Sequence, residues 1–469
     1  MRSLFISCLL LPALFHTVAA QSDAPNATVG PIPGLNATDV QAALTFERAN
    51  WANGSVEDES FYRAPLNSSI LPAGTLLKVE LYTNTSLYTL PPQTALSRIL
   101  YQTRNLNGSL IPASAYILWP YSPRTQPDGS YPVVAWGHGT TGIFPECAPS
   151  HIKSLSYQFT APFPLAIQGY VVVAPDYAGL GVSKTASGEP IIHQLYANEA
   201  AANDLFYAVE AAQSAFPKLS KEFVVVGHSQ GGGAAWAAAE RQAHTPVQGY
   251  LGAVSAAPLL NFIATLQLGA ALLGRDAVFA SVAPSIAGVA RAITSVFPDF
   301  DVGSVLTPAG LQRLRILEQI QGCNAAASEL FTTGMVSIAR PDVLENGYAN
   351  AYQNLTSTGG KEIAGPLLVL QGTADTLIPV NITTQYVHLT SGRCPESAIE
   401  YVIYEGAEHI PSMYTSQREW LGWIEDRFAG KKVAGGLRTA ERRSVLPQTN
   451  YQADLNWFLE SVTERFQAS

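Results

Sequence analysis

Ser229 stands in the run Gly227-His228-Ser229-Gln230-Gly231, a Gly-x-Ser-x-Gly spacing. A serine hydroxyl is a poor nucleophile at neutral pH. To attack a carbonyl carbon it needs a base to take its proton and a carboxylate to orient that base. The flanking residues suit such a role. Phe223 to Val226 is an apolar run of the kind that fills a strand buried on both faces, and Gly231 to Ala235 opens a helix of small residues. Strand, sharp turn and helix make a nucleophile elbow, in which the serine sits on a strained turn. The glycines are needed because the turn brings backbone segments too close for side chains. The backbone N–H of Gln230, at the helix N-terminus, would face the oxygen that becomes negative during acyl transfer. The blander reading is a Gly-rich connection with an incidental serine; the strand before it and the helix after it weigh against that.

A base and an acid are expected further along the chain, each just past a strand end. Asp375 follows Pro366 to Gln371 and Gly372, and His409 lies five residues beyond the run Ile399 to Tyr404. Glu405 and Glu408 are back-up acids. His388 falls inside a helix and His244 trails the elbow helix, both as surface residues, and His228 is too close to the nucleophile to fold back as its base. A second oxyanion donor is expected from Gly137-His138-Gly139-Thr140-Thr141-Gly142, which follows the strand Tyr131 to Trp136. Thr140 N–H is the best candidate; a plain glycine turn is the alternative.

The elements that must hold these residues alternate. Strands are expected at Leu76 to Tyr82, Leu96 to Arg104, Ala113 to Pro120, Tyr131 to Trp136, Tyr170 to Ala174, Phe223 to Val226, Tyr250 to Ser255, Pro366 to Gln371 and Ile399 to Tyr404. Asn107-Gly108 marks a hairpin turn, and a helix is expected at Glu199 to Phe216. Strand–helix alternation implies an α/β fold, a mostly parallel central sheet with flanking helices. The rhythm breaks over 258–362, where Leu259 to Leu273, Ala277 to Phe297 and Leu311 to Ile320 read as apolar helices. These would form an inserted helical cap over the carboxyl ends of the strands, or else a subdomain without substrate contact. The expected division is a signal peptide at 1–20, an irregular N-terminal wrap at 21–75, a catalytic domain at 76–257 and 363–469, and the cap at 258–362. Lys431 to Asn450 reads as a solvated basic loop, or else a flap over the active-site mouth, between terminal helices at Met413 to Phe428 and Tyr451 to Phe466.

Composition narrows the class. Of 469 residues, 47% are apolar and 13% charged, and the net charge of −9 offers no basic footprint for nucleic acid. Met1 to Ala20 has the form of a secretory signal, and no later stretch reads as a membrane helix. Eight N-x-S/T sequons, at Asn26, Asn36, Asn53, Asn67, Asn84, Asn107, Asn354 and Asn381, fit a secreted, glycosylated protein. Beyond the signal, Cys147, Cys323 and Cys394 allow one intramolecular bridge with one thiol left over. No Cys/His cluster has zinc spacing, so neither a metal nor another cofactor is expected.

GHSQGG, the GTADTLIP acid loop and the GAEH histidine loop resemble the α/β-hydrolase superfamily across roughly Val133 to Phe428. The HGTTG loop, PDYAGLG, the long cap and the signal narrow the resemblance to the fungal secretory lipases, the Candida-type lipase A family. That resemblance implies hydrolysis of carboxylic esters by Ser229, Asp375 and His409, with the cap lining an acyl tunnel. The substrate would be an ester or lipid, met in solution or at a lipid–water interface. The resemblance also implies a disulfide between Cys147 and Cys323; the family's second bridge, near the histidine, has no cysteine pair here. A secreted serine peptidase or an acyltransferase would use the same triad. A non-catalytic lipid-binding protein is the reading outside enzymes.

Overall fold

The computed structural model describes residues 35–66, 68–333 and 337–452. Ten strands among them form one sheet: β1 (Leu76–Glu80), β2 (Ala95–Arg104), β3 (Leu110–Trp119), β4 (Tyr131–Gly137), β5 (Val171–Pro175), β6 (Leu219–His228), β7 (Tyr250–Ala256), β8 (Leu367–Gly372), β9 (Ala398–Tyr404) and β10 (Gly436–Arg442). Their order is β1-β2-β3-β5-β4-β6-β7-β8-β9-β10. The first three pairings are antiparallel and those from β5 onward are parallel.

The apolar runs become strands because both faces of the sheet are covered. In β4, β6 and β8 alternate side chains enter two separate cores. Val133, Ala135, Phe223, Val225, Leu367 and Val369 point to one, where α3 (Asn198–Ala215) and α4 (Gln230–His244) pack. Val134, Trp136, Val224, Val226, Leu368 and Leu370 point to the other, where α2 (Pro162–Ile167), α12 (Pro411–Thr415) and α13 (Gln417–Phe428) pack. This period of two, apolar on both phases, is why the strands show no polar alternation.

Between β7 and β8 the chain forms α5 (Phe262–Leu273), α6 (Arg275–Ser281), α7 (Ala283–Thr294), α8 (Pro308–Ile320), α9 (Asn324–Phe331) and α10 (Gly347–Thr356). They share an apolar cluster that also takes in Phe144, Cys147 and Leu195 from the sheet side. α11 (Val380–Arg393) follows β8. The expected single helix over Ala277 to Phe297 is broken in two. Pro284 in the first turn of α7 starts a new helix, and α6 and α7 meet at 70°. No single described helix is long and apolar enough to cross a membrane.

Two further expectations are corrected. The wrap before β1 is not irregular throughout: α1 (Ala37–Ala49) forms there, N-capped by the Asn36 side chain. Its Glu47 reaches across to accept the Cys323 and Ala326 N–H groups, both at 2.9 Å, and so caps α9. The basic segment after α13 is also not simply a loop. Gly436–Arg442 is a strand, β10, parallel to β9, so Ile399 to Tyr404 does not end the sheet. Arg438 pairs with Glu400 at 3.3 Å and Arg442 with Glu419 at 2.9 Å. The expected signal at Met1 to Ala20, Asn26, Asn67 and nearly all of the expected helix at Tyr451 to Phe466 lie outside the described residues.

Candidate active site

Ser229 occupies the turn between β6 and α4 with φ 59° and ψ −119°, a conformation that costs a non-glycine residue about 1–3 kcal/mol. The surroundings fix it there. Ser229 N–H donates to the Ala256 carbonyl at 3.0 Å, and the Ser229 carbonyl accepts from Gly233 and Leu259, each at 3.1 Å. A Cβ on Gly227 would run into the Gly231 carbonyl, and one on Gly231 into the Gly137 carbonyl. The two glycines of the motif are thus where β4, β6 and α4 touch backbone to backbone.

Asp375 and His409 come together at the ends of β8 and β9. His409 Nδ1 lies 2.7 Å from Asp375 Oδ2. Asp375 Oδ1 accepts the N–H groups of Leu377 and Ile378 at 3.0 and 2.8 Å, and Gln371 Nε2 donates to Oδ2 at 3.0 Å. Burial alone would raise this carboxyl; the His409 charge and these donors outweigh it and hold it below the ordinary carboxylate range. Glu405 and Glu408 are exposed, and Glu405 pairs with Arg443 at 3.1 Å. His244 and His388 are exposed on α4 and α11.

His228 is the surprise of the histidines. It is fully buried, its ring stands 4.7 Å from that of His409, and its Nε2 lies 3.0 Å from the His409 carbonyl oxygen. Burial and the neighbouring His409 push it down to about 3, so the ring stays neutral and donates. It fastens the histidine loop to the strand that carries Ser229. This contact brings the His409 loop to the residue directly before Ser229, although no hydrogen bond joins Ser229 Oγ to His409 itself.

The expected oxyanion residues also converge. Gln230 is the first residue of α4, and Thr140 Oγ1 donates to Gln230 Oε1 at 3.1 Å. The Thr140 carbonyl is held from the cap by Asn324 Nδ2 at 2.5 Å. Beside Asn324, Cys323 forms a disulfide with Cys147, with Cα atoms 5.4 Å apart across a sequence separation of 176. Cys394 is free.

Sequence reasoning missed His228, Gln371, His193 and Asn324. Only Gln371 left a signal, as a polar residue closing an otherwise apolar strand. The others act through contacts between distant segments.

An apolar cavity lies within the cap, lined by Phe262, Leu266, Ile286, Val289, Ile293 and Tyr352 among others. Its lining includes Phe262 and Ile263 of α5 but not Ser229, Asp375 or His409. No charged side chain among the described residues lines it.

A family model described as serine aminopeptidase, S33, an α/β-hydrolase family, matches residues 156–412, more than half of the chain. The chain belongs to this α/β-hydrolase family. Lipase 5 of Candida albicans is 25% identical over 348 residues, covering 67% of this chain and 69% of the relative. Lipase 4 of the same organism is 24% identical over 349 residues, covering 67% and 69%. Among solved structures, Candida antarctica lipase A matches this hydrolase with TM-score 0.63 at 16% identity, covering 83% of this chain and 90% of that one. The cell-wall-degrading esterase LipA of Xanthomonas oryzae matches with TM-score 0.60 at 16% identity, covering 77% and 100%. These structural likenesses establish the fold.

Proposed function

We propose that this α/β-hydrolase is a secreted lipase or esterase that cleaves carboxylic esters through Ser229, Asp375 and His409. The observation that carries the reading is the His409–Asp375 bond of 2.7 Å, tied through the His228–His409 contact to the strained turn of Ser229; the cap adds an apolar cavity. His409, oriented by Asp375, takes the Ser229 proton as Oγ attacks the ester carbonyl. The oxyanion is held by the N–H groups of Gln230 and Thr140; loss of one such donor costs about 100- to 1,000-fold. The alcohol leaves with the proton from His409. Water then enters and attacks the acyl carbon as it gives a proton to His409, which returns that proton to Ser229 Oγ as the acid leaves. The acyl chain lies in the cap cavity. Six of the sequon asparagines, Asn36, Asn53, Asn84, Asn107, Asn354 and Asn381, are exposed and open to glycans, which with the disulfide fits secretion.

The family description names an aminopeptidase. A peptide terminus would need a charged partner, and the cavity lining has none. The test sets p-nitrophenyl esters from acetate to palmitate and emulsified tributyrin against aminoacyl p-nitroanilides. Ester turnover well above anilide turnover is expected. Preference for the anilides would replace the esterase reading with a peptidase.

A further inference from the structure

Gln230 supplies more than a backbone N–H. Its side-chain amide is buried and bridges two segments: Oε1 accepts from Thr140 Oγ1 at 3.1 Å, and Nε2 lies 3.3 Å from His193 Nε2. An amide nitrogen can only donate, so His193 Nε2 must be bare and its proton must sit on Nδ1. Nδ1 lies 3.1 Å from the Ala178 carbonyl, an acceptor, which suits that tautomer. Every link then has one direction: Thr140 to Gln230 to His193 to Ala178.

The same imidazole belongs to a stack of rings. His193 stacks on Tyr177 at 6.2 Å and 13°, and Tyr177 stacks on His138 at 4.2 Å and 29°. Tyr177 Oη donates to the His138 carbonyl at 3.0 Å. The loop carrying Thr140 and the helix start carrying Gln230 are thus hung on a single buried unit. Burial, aided by His138 and Arg291, pushes His193 down to about 4, so it remains an acceptor.

We propose that His193 is a positioning residue for the oxyanion hole: by accepting from the Gln230 amide it locks Gln230 to Thr140 and holds their two backbone N–H groups at a fixed separation. The inference rests on the ester-hydrolase reading of this site. His193 touches no reacting atom; it acts through Gln230. Removing its acceptor frees the amide to rotate and lets the hole widen while the acyl cavity is untouched. The loss therefore falls on kcat rather than KM.

The test compares His193→Phe, which keeps a ring on Tyr177 but offers no acceptor, with His193→Gln, whose amide oxygen reaches the position of Nε2. For p-nitrophenyl butyrate, His193→Phe is expected to lose about 10- to 100-fold in kcat with KM within about twofold. His193→Gln is expected to recover most of that loss. If His193→Phe fails to fold, Gln230→Leu, which keeps the backbone N–H, takes its place and should show the same kcat loss. Nitrogen NMR of the His193 ring in the wild-type protein reads the tautomer directly, with the proton expected on Nδ1. An unchanged kcat in the folded variant, no recovery with glutamine, or a proton on Nε2 would each overturn the proposal. If the wild-type protein cleaves no ester, it is the ester-hydrolase reading that fails. The tautomer and its disturbance in Gln230→Leu then still judge the hydrogen-bond chain by themselves.

Discussion

The sheet and the cap of this molecule are built on opposite plans. Around Ser229 the backbone itself is packed: Gly227, Gly231 and Gly137 meet with no room for a Cβ, and the turn is held by main-chain bonds to Ala256 and Leu259. The cap is a set of short helices around an apolar cavity. Several of its ties to the rest are discrete: the Cys147–Cys323 disulfide, Glu47 at the start of α9, and Asn324 on the Thr140 carbonyl. A packed backbone gives a reaction its fixed geometry, whereas a cavity walled by side chains decides what fits. Damage to the sheet end should therefore appear in kcat for every substrate. Damage to the cap should sort substrates by size.

The largest effect is expected from the triad. Ser229→Ala and His409→Ala should each lower kcat by about 10⁴-fold or more, and Asp375→Asn by about 10⁴-fold, for short and long esters alike with the melting temperature kept. A loss confined to long esters would erase the contrast. Next comes filling the cavity. Ala290→Trp should cut kcat/KM for palmitate esters by about 10- to 100-fold and leave acetate within about twofold. An equal loss on both would mean that the cavity does not receive the acyl chain. Cys147→Ser with Cys323→Ser should destabilise the protein by about 2–5 kcal/mol, read by denaturant unfolding. Its activity should fall less than in any triad variant. If stability is unchanged, the cap is held by packing alone.

The smallest effect is in the pH dependence of stability. Burial raises Glu47 in α1, and Asp204 and Glu240 in the sheet's helices, each to about 7. A carboxyl whose folded pKa is raised binds more protons folded than unfolded between the two values. Its stability is therefore greatest below the unfolded pKa and is lost as pH rises toward 7. Asp375, held low, works the other way and loses stability as pH falls through its folded value. Below about pH 6.5 the buried His138, His193 and His228, all held low, oppose the raised carboxyls; from about pH 6.5 to 8 the carboxyls dominate, so the melting temperature should decline as pH rises there. Glu47→Gln should remove the cap's share of that slope. A melting temperature rising over this range would contradict the burial assigned to these groups.

The same contrast decides what the sequence revealed. The central strands are buried on both faces and stand out as apolar runs such as Val171 to Ala174. β10 does not. Leu437 faces one core and Ala440 the other, while Arg438, Glu441 and Arg442 face water, so the segment resembles a charged loop. α1 was hidden for a related reason. Its buried stripe is Val40, Ala43, Leu44 and Glu47, and the last position carries a carboxylate because it caps α9 rather than filling a core. Within the site, the strand-end pattern pointed to Asp375 and His409, and the structure joins them. The positions of His228 and His193 depend on which loops meet, and no local spacing encodes that.

The most direct test of the account is titration of the wild-type protein with a p-nitrophenyl alkylphosphonate, followed by peptide mapping. A phosphonate mimics the tetrahedral intermediate and stays on the nucleophile. The account predicts one equivalent of p-nitrophenol released, the phosphonyl group on the peptide containing Ser229, and esterase activity lost in proportion to labelling. A label on another residue, or full activity after Ser229 is modified, would contradict it.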